Sequence, residues 1–240
     1  MNLLIDIGNT TVKWRLYNGK NIIVKNQCFT KDFLCEKLPS DKQILATLVS
    51  NVNHDSYAQM IQVWGQKHSL NVIFLEQKTH PNLQNHYQDK VRLGVDRWLN
   101  ALGAWQHYNQ SVFIISAGTA ITVDYVESRE NELPVYEGGM ILPGISAALK
   151  SLNQATAKIN ANMNHHAHFP AKTTDDSVTT GITFALMGAV NLACRTQSAE
   201  APIILTGGDA DWLVSHADDA WQERIRVHED LIFDGMLAYL

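Results

Sequence analysis

The sequence predicts an α/β protein built from two similar halves. The chain opens with an apolar strand, a small polar turn and a second strand, in LLIDIGNTTVKW at residues 3–14. The same plan returns within 111–127, in SVFIISAGTAITVDYV. Helical patterns alternate with short apolar strands elsewhere, as in α/β folds. The repetition puts the junction near residues 108–114, giving expected domains at 1–110 and 111–240.

Residues 2–7 and 11–17 read as two strands joined by a tight turn at Gly8-Asn9, because Val12, Trp14 and Leu16 alternate with Lys13, Arg15 and Tyr17. QILATLVS (43–50) is a buried strand, and 55–68 is a helix with Tyr57, Met60, Ile61 and Trp64 on one face. NVIFL (71–75) is a further strand, and the polar segment 76–92 is a loop. GVDRWLNALGAWQHY is helical from 94, with Trp98, Leu102 and Trp105 as a stripe that serves either the core or a dimer face. GGMILPG (138–144) gives a double glycine, an apolar strand and a Pro143-Gly144 connection into the helix-like ISAALKSL, a structural rather than catalytic segment. PIILTGGDADWLV (202–214) is a third strand, ending in glycines and an acid.

The bulk properties narrow the function. At 45% hydrophobic and 18% charged, the 240 residues are ordinary globular material. The net charge of −5, without a Lys/Arg stripe, argues against a nucleic-acid partner. No apolar run approaches the roughly 18–20 residues that span a bilayer, and Met1 leads into the first strand without a cationic leader, so no membrane association and a cytoplasmic location are expected. Cys28, Cys35 and Cys194 form no CxxC pair and read as reduced thiols. In NMNHHAHF (162–169), His165, His166 and His168 lack the spacing and further ligands of a zinc site, so a solvated surface is expected and no structural metal.

The opening turn carries the chemistry. A strand that only fills a core has no need of an acid at its end. Phosphoryl transfer needs positioning, amide donors, a cation and magnesium. Asp6 would hold hydrated Mg²⁺, and Lys13 would reach a β- or γ-phosphate. Gly8 would supply positive φ and close backbone approach, and Asn9, Thr10 and Thr11 short donors. A hairpin with a polar turn remains the plain alternative. SAGTAIT (116–122) repeats the logic with Gly118, Thr119 and Thr122, and LTGGDA (205–210) adds a turn against which a nucleoside would lie. Ligands of open α/β sheets sit beyond the carboxyl ends of strands.

DIGNTTVKW, LGVDRW, AGTAITVD, GGMILPG and LTGGDA, in that order from Asp6 to Asp209, resemble the type III pantothenate kinases of the acetate and sugar kinase/Hsp70/actin superfamily. The resemblance implies duplicated ribonuclease-H-like domains, with mixed sheets flanked by helices and a nucleotide cleft between them. It implies ATP-dependent phosphorylation of pantothenate to 4′-phosphopantothenate, the first step of coenzyme A synthesis. It places Asp6, Ile7, Gly8, Asn9, Thr10, Thr11, Val12, Lys13 and Thr119 on ATP. Tyr87, Gly94, Val95 and Arg97 would line the pantothenate pocket, with Asp96 as general base. Thr174 would be a further substrate contact, with Thr173 an adjacent alternative and Gly181 closing that segment. A homodimer is implied, the neighbour supplying part of the pocket. Many members carry an acid two residues before the glycine of the GTA turn, where it binds K⁺. Here Ser116 stands there, a poorer cation ligand, so the enzyme is expected to lack the K⁺ requirement or to satisfy it otherwise.

Asp96 also has a reading of its own. A base must lie within hydrogen-bond reach of the alcohol it deprotonates. An Asp in a first helical turn equally meets the macrodipole. Arg97, directly after it, supplies a cation suited to a carboxylate substrate, which favours the base. The competing functions are a relative acting on acetate, a sugar or polyphosphate, and a nucleotide-sensing transcriptional regulator. The GVDR segment, Tyr87 and the chain length weigh against the first, and Asp6, Asp96, Arg97 and Thr119 against the second.

Overall fold

The structure, a computed structural model, describes residues 1–240 apart from Gln77, residues 164–166, Ser198, Ala199 and the side chain of Ala220. His165 and His166 of the histidine tract lie outside the described residues. In chain order the elements are β1 (Asn2–Ile7), β2 (Thr11–Asn18), β3 (Asn21–Phe29), β4 (Ala46–Asn51), α1 (Asp55–His68), β5 (Val72–Phe74), β6 (Gln84–Asn85) and α2 (Val95–Tyr108). There follow β7 (Val112–Ala117), β8 (Ala120–Glu127), β9 (Val135–Pro143), α3 (Ile145–Ala155), α4 (Thr174–Thr196), β10 (Ile203–Thr206), α5 (Ala210–His216), α6 (Asp219–Gln222), β11 (Ile225–Val227) and α7 (Leu231–Leu237). Two compact units contain them. The first comprises Met1–His107, Leu133–Tyr136 and Asp230–Leu240, and the second Tyr108–Glu132 and Glu137–Glu229.

The first unit is a sheet ordered β3-β2-β1-β4-β5. β1 runs antiparallel to β2 and parallel to β4. Its Leu3, Leu4, Ile5 and Ile7 are fully buried, so both faces are covered and β1 is central. Helix α1 spans the predicted 55–68, with Ile61 and Trp64 buried and Tyr57 and Met60 packed beside them. Ser69, left-handed at φ 57°, ends it. Helices α2 and α7 approach closely through two glycines. A Cβ on Gly103 would strike the backbone of Leu231, and one on Gly235 the carbonyl of Leu99.

The start of α7 is fastened to the sheet by a buried ion pair. Arg15, 1% exposed, donates from Nε and Nη2 to Asp230 Oδ1 at 3.0 and 2.6 Å. Its Nη1 donates to the carbonyls of Trp14 and Asn26, and the guanidinium covers the Phe233 ring at 4.7 Å.

In the second unit β7 is central, antiparallel to β8 and parallel to β10. The order β9-β8-β7-β10-β11 repeats β3-β2-β1-β4-β5 strand for strand. The duplication read from the two turns is therefore a duplication of ribonuclease-H-like folds. Val178, Ile182, Leu186, Val190 and Cys194 of α4, four apart, enter the core. At 23 residues α4 is long and apolar enough to cross a membrane by length and composition, contrary to the expectation that no segment would be. Its buried stripe identifies it as a core helix.

Several elements differ from the sequence reading. The third strand stops at Thr206, where Gly207 turns to φ +98° and DADWLV becomes α5. The double glycine of GGMILPG lies inside β9, because a side chain on Gly139 would collide with the Val123 carbonyl. The loop 76–92 carries the short β6, paired in parallel with Val135 and Tyr136. Strand β3 was not foreseen: most of its side chains are exposed, and its edge position removes the apolar alternation.

Candidate active site

Asp6 stands near the carboxyl end of β1, directly across the hairpin from Lys13. Its Oδ1 is buried with no hydrogen-bond partner among the described residues. Burial, and then the charge of Asp96, push the carboxyl up to about 7, against the pull of Lys13. The Ser50 hydroxyl beside it also favours the charged form, although Ser50 Oγ makes no hydrogen bond of good geometry. An acid held this way lacks the donors that normally satisfy a buried carboxylate.

Asp96 opens α2. Burial raises its carboxyl above the ordinary range, opposed by the Arg97 backbone N–H and the Arg97 charge. That N–H donates to Asp96 Oδ1 at 2.9 Å, so the helix-terminus role is real as well. Gly94 has a steric reason: a Cβ there would lie 2.5 Å from Asp96 Oδ1. Val95 is buried. Arg97 is buried, with its guanidinium 5.6 Å above the Tyr87 ring. The structure thus brings together Asp6, Lys13, Asp96, Arg97, Gly94 and Tyr87 in the first unit.

The turn between β1 and β2 departs from expectation in one respect. Gly8 does not adopt positive φ; the glycines that do are Gly19, Gly138 and Gly207. Clearance explains it instead, since a Cβ would sit 3.0 Å from the Thr11 carbonyl, to which Gly8 N–H donates. Ile7 and Val12 bury their side chains in the core of the sheet. Asn9 and Thr10 are exposed at the tip, and Thr11 and Lys13 half-buried.

The segment carrying Tyr87 is anchored by residues the sequence did not single out. Asn85 Oδ1 accepts the Tyr87 N–H, and Asn85 Nδ2 donates to the Lys78 carbonyl. Trp98 Nε1 donates to Tyr239 Oη at 2.8 Å, and Tyr239 donates to the Thr79 carbonyl. Trp98 also meets Tyr136 edge-on at 6.0 Å. The tie through Tyr239 comes from a residue far from Tyr87 in sequence, and no local pattern announces it.

In the second unit, Thr119 is exposed at the tip of the β7–β8 turn. Gly144 and Gly207 press against this turn, where side chains would strike the Gly118 and Ala117 carbonyls. Gly144 N–H donates to Thr119 O, and Asp209 N–H to Ala117 O. GGMILPG and LTGGDA therefore share one physical role, bringing backbone up to the turn. Ser116 pairs with Thr122 and Thr206 across the sheet. Thr173 caps α4, its hydroxyl accepting the Asp176 N–H and donating to the Asp176 carboxylate. Thr174, next to it, lines a mostly apolar cavity of about 820 Å³ between α3 and α4, with Gly181 further along.

The sequence model of the family described as Type III pantothenate kinase matches residues 2–196. A type III pantothenate kinase from Chromobacterium violaceum is 33% identical over 251 residues, covering 99% of this chain and 98% of the relative. One from Cellvibrio japonicus is 32% identical, covering 100% and 96%. Among solved structures, a Campylobacter jejuni chain assigned to the Baf family of transcriptional activators superposes with a TM-score of 0.65 at 23% identity, covering 98% of this chain and 95% of that one. A Sinorhizobium meliloti chain assigned as a 2-dehydro-3-deoxygalactonokinase gives 0.57 at 10% identity, covering 99% and 97%. At these identities both structures support the fold alone.

Proposed function

The chain belongs to the type III pantothenate kinases, and on that premise we propose the roles its residues play in the reaction. The protein is a kinase that phosphorylates pantothenate with ATP in coenzyme A biosynthesis. The observation that carries the assignment of roles is the pairing of two desolvated acids with two cations, Asp6 with Lys13 and Asp96 with Arg97.

Arg97, stacked on Tyr87, holds the pantothenate carboxylate, and the backbone of Gly94 and Val95 borders the substrate. The pantothenate hydroxyl oxygen bonds to the γ-phosphorus as the bond to the β–γ bridging oxygen breaks and ADP departs. The hydroxyl proton passes to the Asp96 carboxylate, whose raised pKa makes it the stronger acceptor. Residues 6–13, with Lys13 as the cation, and Thr119 bind the ATP phosphates. The partnerless Asp6 Oδ1 fits the water shell of Mg²⁺, which would neutralise phosphate charge when bound. Thr174 contacts pantothenate in a homodimer, with Thr173, which lines the same cavity and caps α4, as the adjacent alternative. Ser116 leaves the enzyme without a K⁺ requirement, and its location is cytoplasmic.

The test is ADP release from the purified protein with and without pantothenate, together with the mass of the product. ADP and 4′-phosphopantothenate formed only when pantothenate is present support the reading. ATP hydrolysis that ignores pantothenate overturns it.

A further inference from the structure

The turn between β1 and β2 is held from behind by two side chains outside the segment that meets ATP. Gly8 O accepts hydrogen bonds from Thr30 Oγ1 and Asn53 Nδ2, each at 3.0 Å. We propose that Thr30 and Asn53 are positioning residues that aim the Asn9 amide at the phosphates of the nucleotide. The inference rests on reading residues 6–13 as the phosphate turn.

A trans peptide is planar, with its N–H directed opposite to its C=O. Drawing the Gly8 carbonyl into the protein therefore turns the Asn9 N–H the other way, towards the exposed tip. A peptide flanked by glycine is the easiest in a turn to rotate. Rotated, it would offer phosphate a carbonyl oxygen in place of a donor, exchanging attraction for repulsion. Two donors on one carbonyl oppose that rotation before ATP arrives, the form of preorganisation that anion sites use.

Both side chains are themselves fixed. Thr30 is buried; its N–H donates to Thr10 O at 2.9 Å, and its carbonyl accepts from Tyr57 Oη of α1. Asn53 Oδ1 accepts the His54 N–H at 2.7 Å at the start of α1, and its own N–H donates to Asn51 Oδ1. The clamp thus ties the turn to the end of β3, the end of β4 and the start of α1, all in the first unit.

The variants are Asn53→Asp, Thr30→Val and Thr30→Ser in the full chain, with Lys13→Ala as reference. Asn53→Asp keeps the acceptor for His54 but removes the donor shared by Gly8 O and, at 3.5 Å, Asn9 O, and adds a negative charge; the neutral Thr30→Val, which removes the hydroxyl at nearly constant volume, reads the clamp without that charge. For each, KM for ATP, KM for pantothenate, kcat and the ATP-induced rise in Tm are measured. Loss of one such hydrogen bond should raise KM for ATP about fivefold to tenfold. KM for pantothenate should stay unchanged, and Thr30→Ser should restore the wild-type value. If Asn53→Asp and Thr30→Val leave KM for ATP at the wild-type value while Lys13→Ala raises it, the clamp is merely structural and the inference is overturned. If Lys13→Ala also leaves it unmoved, the phosphate-turn reading fails and takes the clamp with it.

Discussion

Replacing Asp230 by alanine should destabilise the protein more than any surface substitution, because it strands Arg15. The guanidinium is 1% exposed and cannot regain water. Two of its donors, at 3.0 and 2.6 Å, lose their acceptor, while the bonds to Trp14 O and Asn26 O remain. Breaking a buried pair from one side costs about 3–5 kcal/mol. The second ion pair, with Lys25, is 44% exposed on the lysine and adds little. For a chain of this size the loss corresponds to a Tm lower by on the order of 10 °C. The effect should also depend on pH. Burial alone would raise the Asp230 carboxyl, but the Arg15 hydrogen bonds and charge, with Lys25, outweigh it and hold it below its ordinary 3.8. The native state therefore sheds this proton more readily than the unfolded chain. The stabilisation is complete above the unfolded pKa and is lost as pH falls through the folded one. Urea unfolding of wild type and Asp230→Ala at neutral pH and below about pH 3 reads both quantities. A difference under about 1 kcal/mol at neutral pH, or one equally large at both, would refute the reasoning.

Asp6→Asn should stabilise the free protein, and most at high pH. With a folded pKa of about 7 against 3.8, the native state holds a proton that the unfolded chain loses, so wild-type stability falls as pH rises between those values. The gain in Tm over wild type should therefore grow across that window, and an equal gain at about pH 4.5 and pH 8 would contradict it. Gly94→Ala forces the Asp96 carboxylate to move, since the new Cβ lies 2.5 Å from its Oδ1. Turnover should fall by about 100-fold with the ATP-induced rise in Tm retained, and unchanged kcat would show that the carboxylate tolerates the shift. Exchanging K⁺ for a large organic cation should leave turnover unchanged, given Ser116, and a clear loss would show that other groups bind the ion.

What was legible in the sequence follows from where the physical signal is local. The hairpin at Gly8-Asn9 and helix 55–68 were readable because burial imposes a period on adjacent residues. The duplicated turn was readable because both copies keep a small-residue turn between apolar strands. Strand β3 escaped because an edge strand needs no apolar alternation. The ends of the chain were opaque for another reason. Asp230 and Tyr239 gain their partners, Arg15 and Trp98, across more than half the sequence. At the candidate site, residue types drew attention to Asp6, Lys13, Asp96 and Arg97, while Asn53, Thr30 and Asn85, whose hydrogen bonds tie the neighbouring turns, look like ordinary loop and strand-end residues. Gly8 was singled out for a conformation it does not adopt; the tight clearance to the Thr11 carbonyl leaves no such mark on the sequence.

The most direct test of the roles assigned to these residues is single-turnover ADP release by Asp96→Asn in the presence of pantothenate, beside its ATP-induced rise in Tm. Loss of a general base should lower the rate by about 10²–10⁴-fold while the rise in Tm persists, since Asp96 acts on the alcohol and not on ATP. A variant that binds ATP and still phosphorylates pantothenate at the wild-type rate would remove Asp96 from catalysis and leave it only its place at the start of α2.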